Sequence, residues 1–164
     1  MRLRLRPATR PGAGAERGIR LMSHIVFYEK PGCGGNAKQK QWLLDAGHTL
    51  DVRSLLAEPW TADTLLAWLA PLPVADWFNR AAPRVKSGEV VPEALARDAA
   101  LVLLLGEPLL IRRPLMQVGD ERRVGFDPAA VDAWIGLDGT AAQRSRAQSE
   151  GCAAGMSEGG CAAP

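Results

Sequence analysis

The first strong apolar signal is the run Ile25-Val26-Phe27-Tyr28, followed at once by Pro31, Gly32, Gly34 and Gly35. Four apolar residues ahead of a cluster of breakers predict a short buried strand and a turn. A helix follows from about Asn36 to Ala46, and Gly47 stops it. Residues 49–53 fit a second strand. Thr61 then opens a helix with Leu65, Leu66, Trp68 and Leu69 on one face, and Trp60 and Leu65 have the N′ to N4 spacing of a hydrophobic staple. Val74, Trp77 and Phe78 predict a short amphipathic helix. Pro92, at a first-turn position, introduces further helix through Leu105, closed by Gly106. Beyond it the pattern changes period: Leu109–Ile111, Pro114–Val118 and Arg123–Phe126 read as strands, the last two joined by a turn over residues 119–122. The closing helix is the best marked, with Asp127 as N-cap, Pro128 at N1, Val131, Trp134 and Ile135 inward, and Gly136 at C′.

Outside these elements the pattern stops. Residues 1–21 are Arg, Pro, Gly and Ala with no period, and residues 138–164 are rich in Ala, Gly, Ser and Gln, so neither offers the apolar surface that offsets ordering. The expected organisation is a basic arm over 1–21, one domain over 22–137 and a flexible tail over 138–164, with Met22 a candidate start. Charge sharpens this division. The chain of 164 residues carries a net +2, but six Arg against Glu16 make the arm +5 and leave the remainder at −3. A mildly acidic body lacks the broad positive face that nucleic-acid backbones require. The longest apolar run, Ala99–Leu105, is far short of the roughly 20 residues that span a bilayer. Three cysteines, Cys33, Cys152 and Cys161, are an odd number at unrelated spacings, which points to a reducing, cytoplasmic setting.

The element order, β-α-β, several helices, then β-β-α, predicts an α/β fold: a four-stranded mixed sheet flanked by helices, with a helical insertion between the second and third strands. That order is typical of the thioredoxin-like fold, whose active site lies at the first βα turn.

Cys33 occupies that turn. A thiol at a helix N-terminus faces unpaired backbone N–H groups and the positive end of the helix dipole, both of which favour the nucleophilic thiolate. Gly32, Gly34 and Gly35 carry no Cβ, so a substrate can approach the backbone closely. The plain alternative is a small buried hydrophobe beside turn-forming glycines. Three glycines and a proline around the thiol argue for loop rather than core.

The segment Phe27-Tyr28-Glu29-Lys30-Pro31-Gly32-Cys33-Gly34, with Leu110-Ile111-Arg112-Arg113-Pro114-Leu115, resembles the glutaredoxin-linked arsenate reductase family of the thioredoxin superfamily. More narrowly, Gly32–Asn36, Glu58–Trp60, Trp77–Pro83 and Arg112–Met116 resemble its nitrogenase-associated branch. The resemblance covers residues 24–137. It implies that Cys33 is the nucleophile, that Arg113 precedes a cis-proline at Pro114, and that Arg80, or Asn79 beside it, matches the arginine of the middle helical segment. It also implies glutathione or glutaredoxin as reductant, with no bound cofactor. Two guanidinium groups around a thiolate would lower its pKa and hold a tetrahedral anion.

Three positions depart from the family pattern. The reductases carry a His where Glu29 stands and an arginine near Phe126 or Asp127. Both changes remove positive charge, which disfavours arsenate as substrate. Asn36 stands where the related regulators have a second cysteine, so no local disulfide can close.

Two functions follow. One is a monothiol oxidoreductase in support of nitrogen fixation, in which Cys33 attacks an oxyanion or a disulfide and Arg113 and Arg80 hold the negative charge, with Gly32, Gly34, Gly35, Asn36, Glu29 and Pro114 around them. The other is a non-enzymatic adaptor whose Trp77 to Arg84 region docks nitrogenase or a nitrogen-fixation assembly factor. Nucleic acid and membrane are not expected partners. Cys152 and Cys161 offer either a resolving thiol for a mixed disulfide on Cys33 or, without a nearby His, half a zinc site, and in a Gly-rich tail the favoured expectation is that they are incidental. His24 and His48 suit surface or capping positions, and the tryptophans are core, with Trp77 the one expected to reach a partner surface.

Overall fold

In strand β1 (His24–Glu29) successive side chains leave on opposite faces, and both faces are apolar, so helices must cover the sheet on both sides. The computed structural model describes residues 22–137. The expected basic arm and tail, with Cys152 and Cys161, lie outside the described residues. After β1 come helix α1 (Gly34–Asp45), β2 (Thr49–Ser54), α2 (Ala62–Leu69), a 3-10 turn (Val74–Trp77), α3 (Pro83–Lys86), a second 3-10 turn (Pro92–Ala94), α4 (Arg97–Gly106), a third (Pro108–Leu110), β3 (Leu115–Val118), β4 (Glu121–Val124) and α5 (Pro128–Ile135). The sheet order is β2-β1-β3-β4, with β1 and β2 parallel and the other pairs antiparallel. This is the expected thioredoxin-like α/β arrangement, helical insertion included.

Strand alternation divides the core in two. Ile25 and Phe27 of β1 and Met116 of β3 pack with Leu43 of α1 and Val131 of α5. Tyr28 and Leu115 face the other way, onto Leu65, Trp68 and Leu69 of α2, Leu104 of α4, and Trp77 and Phe78. Trp60 seats its ring 5.2 Å from that of Tyr28, and its indole N–H donates to the Leu55 carbonyl. It shares this core with Leu65, as the staple spacing predicts. Thr61 caps α2, accepting from the Thr64 N–H, while the Thr64 hydroxyl accepts from the Thr61 N–H. Replacing Thr61 with alanine removes one half of this reciprocal box and is expected to cost about 1 kcal/mol, read as a lower urea midpoint at unchanged slope.

Several elements differ from the sequence pattern. Leu109–Ile111 is not a strand: the Leu110 and Ile111 amides turn back to the Glu107 and Pro108 carbonyls, and Ile111 makes a single bridge to Phe78. The helix expected from Pro92 to Leu105 breaks at extended Leu95 and Ala96. Leu95 and Leu104 share one core, yet nine residues apart on a continuous helix they would face opposite sides, about 180° apart. β4 begins at Glu121 and ends at Val124, because the hairpin turns on Gly119 and Asp120 alone and Gly125 leaves the strand at φ +80°.

Trp77 reaches no surface. It is fully buried, donates its indole N–H to the Leu72 carbonyl, and lies under the Arg97 guanidinium. His48 is likewise buried rather than superficial. Its Nδ1 accepts from the Ser23 amide, so Nε2 carries the proton and donates to the Gly136 carbonyl, bracing the start of β1 against the end of α5. The expected close of the domain holds: Asp127 caps α5 through the Ala129 amide, Pro128 stands at N1, and Gly136 ends the helix at φ +80°.

A candidate thiol site at the first βα turn

The turn leaving β1 places Cys33 at the N-cap of α1, with Gly32 at φ +78°. A side chain at that φ is strained, so a glycine is required there. Gly34 has a different role: a Cβ on it would meet nothing within 4 Å, so its side of the turn opens outward. A Cβ on Gly35 would lie 3.9 Å from Cys33 Sγ, an ordinary contact. The thiol is partly exposed.

Burial pushes the Cys33 pKa up, but the backbone N–H groups of Asn36 and Gly35, together with a hydrogen bond and the charge of Arg113, outweigh it. The thiol is held below its ordinary value. Arg113 lies on the stretch that crosses from Ile111 to β3; the Arg113–Pro114 bond is cis, Pro114 is buried, and its carbonyl accepts from the Gly125 amide. Among the described residues Arg113 has no carboxylate partner.

Arg113 separates two clefts, and Cys33 lines neither of them. One, of about 390 Å³, is walled by Gln39, Asp76, Asn79, Arg80, Arg112 and Arg113. The other, of about 400 Å³, includes Lys30, Asn79, Arg84 and Glu107. Arg80 does share a cleft with Arg113, but its guanidinium is held 2.6 Å from Glu93 and donates to the Ala75 carbonyl. It is not gathered onto the sulfur. Asn79 lines both clefts, although its side-chain oxygen accepts from the Ala81 amide.

Glu29 is a carboxylate at the end of β1, and Lys40 of α1 meets it at 2.7 Å, so its charge is offset. Asn36 is buried. Its amide donates to Gln39 Oε1 at 2.9 Å and so fixes the side chain that lines the first cleft, while Asn36 Oδ1 has no partner among the described residues.

Three contributors escape a reading of the sequence. Lys40 and Glu29 meet only because α1 folds back along β1. Gln39 carries a weak signal, its i, i+3 spacing from Asn36. Arg112 lies across Gly125, where a Cβ would fall 2.7 Å from its Nε, and faces Asp76 at 3.6 Å. Among the described residues no three His, Cys, Asp or Glu side chains gather as a metal site, and no helix is long and apolar enough to cross a membrane.

The ArsC family model matches residues 28–134. Over 116 residues the chain is 53% identical to the "uncharacterized 15.7 kDa protein in draG 3′ region" of Rhodospirillum rubrum, covering 71% of this chain and 81% of that protein. Among solved structures it is similar to an ArsC family related protein from Bacteroides fragilis, at TM-score 0.59 and 25% identity over 66% of this chain and 95% of that one. It is also similar to an arsenate reductase (ArsC) related protein from Brucella melitensis, at TM-score 0.55 and 26% identity over 71% of this chain and 98% of that one. With strands, turn and family match in agreement over well over half its length, the chain belongs to the ArsC family.

Proposed function

We propose that this protein is a monothiol oxidoreductase that acts on mixed disulfides, with glutathione or glutaredoxin as reductant. The observation that carries the reading is a thiol held low by two backbone amides and by a guanidinium with no carboxylate partner among the described residues. Thiolate is the nucleophile in disulfide exchange. The Cys33 thiolate attacks the glutathione sulfur of a protein–glutathione disulfide, the protein thiolate leaves and takes a proton, and Cys33 becomes glutathionylated. A second glutathione thiolate then attacks the glutathione sulfur on Cys33, releasing glutathione disulfide and restoring the thiolate. Each exchange breaks one S–S bond and forms one.

Disulfide is favoured over arsenate because Arg80 and Arg112 are engaged by Glu93 and Asp76, and Phe126 stands near the place of a family arginine. That engagement also favours the second reading, an adaptor that keeps the fold without the reaction. A role in nitrogen fixation, with nitrogenase or an assembly factor as partner, is part of the proposal; a relative named for the draG region supports it.

The test supplies the full chain with the mixed disulfide of glutathione and 2-mercaptoethanol, or with arsenate, in the presence of glutathione, glutathione reductase and NADPH. The expected result is NADPH consumption in the disulfide arm that Cys33→Ser abolishes. Equal background rates for wild type and Cys33→Ser in both arms would leave the adaptor. A rate confined to the arsenate arm would replace disulfide by oxyanion.

A further inference from the structure

β4 is an edge of the sheet, and its register decides which of its backbone groups are free. The Gly125 amide donates to Pro114, and the pairs run Val124–Leu115, Arg123–Met116, Arg122–Gln117 and Glu121–Val118. Hydrogen-bonded and non-bonded pairs alternate in an antiparallel ladder. Glu121 and Arg123 therefore bond to β3, while the N–H and C=O groups of Arg122 and Val124 point out of the sheet.

This edge borders a cleft of about 280 Å³ between α2 and α5. Its walls are apolar on both faces of the sheet. Trp68, Pro71 and Leu72 stand on one side and Trp134 on the other. The Arg122 guanidinium lies 5.6 Å above the ring of Trp68, and that of Arg123 lies 5.3 Å above Trp134. Arg123 also has Glu121 at 3.9 Å, and Arg112 has Asp76, whereas Arg122 has no carboxylate within ion-pair distance among the described residues. Asp127, at one end, caps α5 through one carboxylate oxygen. Arg112, Gly125 and Phe126 form a wall common to this cleft and to the cleft beside Arg113.

We propose that the outer edge of β4 docks an extended, carboxylate-bearing segment of a partner protein, added to the sheet as a fifth strand. Backbone pairing supplies adhesion, and alternate side chains supply selection. An acidic side chain opposite Arg122 forms a charge-assisted bond over Trp68, and its apolar neighbours, which leave the strand on the opposite face, fill the space toward Trp134. Because this strip abuts the cleft of Arg113, a docked chain runs toward the thiol.

Titration of the ¹⁵N-labelled full chain with acetyl-Glu-Val-Glu-Val-Glu-amide at millimolar concentration tests this. The expected result is that the Arg122 and Val124 amides shift and gain exchange protection, with smaller changes at Glu121 and Arg123. Binding should weaken with added salt, fall about tenfold or more in Arg122→Glu, and be much poorer for the peptide with Lys in place of Glu. Cys33→Ser should bind unchanged, so failure of the thiol chemistry leaves this result readable. No shifts over residues 121–125, equal binding of the Lys peptide, or indifference to Arg122→Glu would overturn the proposal. So would Arg122 and Val124 amides already protected in the free chain: protection independent of dilution means the chain's own outer segments occupy the edge, and protection lost on dilution means a second copy does.

Discussion

Alkylation of Cys33 by iodoacetamide is expected to follow a midpoint below the free-thiol value of about 8.5, and Arg113→Leu is expected to move that midpoint upward and slow the reaction at neutral pH roughly tenfold. Cys33 must be followed by mass spectrometry of its own peptide, since Cys152 and Cys161 also alkylate. The direction follows from the site: burial alone raises the thiol pKa, and it is the amides of Asn36 and Gly35 with the Arg113 guanidinium that reverse the sign. Removing Arg113 withdraws both a hydrogen bond and a charge, and leaves the amides. A midpoint at or above 8.5 in the wild type would remove the basis for thiol chemistry. An unchanged midpoint in Arg113→Leu would assign the whole effect to the helix terminus. The same depression bears on stability. A thiol whose folded pKa lies below its unfolded one adds stability that is fully present above the unfolded value and lost as pH falls through the folded one. The penalty of Cys33→Ser is therefore expected to be larger at alkaline pH than below the folded midpoint.

Trp77→Ala is expected to be the most damaging single substitution for the fold, at about 3–5 kcal/mol, a fall in Tm of roughly 10–20 °C. The indole has no exposed surface, so its removal leaves a cavity, and the Leu72 carbonyl loses its donor. The loss reaches the site as well. The Trp77 carbonyl accepts from the Arg112 amide, and the Asn79 amide donates to Leu110, so this segment holds the approach to Arg113. Trp77→Phe retains most of the volume and should cost less. An unchanged Tm in Trp77→Ala would instead fit a tryptophan exposed for a partner, which its burial argues against.

Arg80 and Arg113 end in different electrostatic surroundings. Both are picked out by resemblance, Arg113 next to Arg112 and ahead of Pro114 and Arg80 with Asn79 as its competitor, but the amino-acid order does not say which carboxylates each will meet. In the fold, Glu93 of the Pro92–Ala94 turn claims Arg80, while Arg113 is the arginine that lowers the Cys33 pKa. Glu29 is the converse case. Alone it opposes a thiolate, yet Lys40 lies 2.7 Å away once α1 has folded back along β1.

What the amino-acid order determined alone is what depends on near neighbours: the strand before Pro31, the thiol at a helix start, the Thr61 and Asp127 caps, the turn at Gly47, and hence the βαβ and ββα units that specify the fold. Caps, turns and alternation are set within a few residues, where backbone sterics and local hydrogen bonds act. Only the tertiary structure decided that residues 109–111 stay out of the sheet, with Ile111 alone bridging to Phe78, that Trp77 and His48 are interior, which arginine stands at Cys33, and which rungs of β4 stay open. Each of these turns on contacts between residues distant in sequence, where competition for the same core space and the same carboxylates is resolved only when the elements pack.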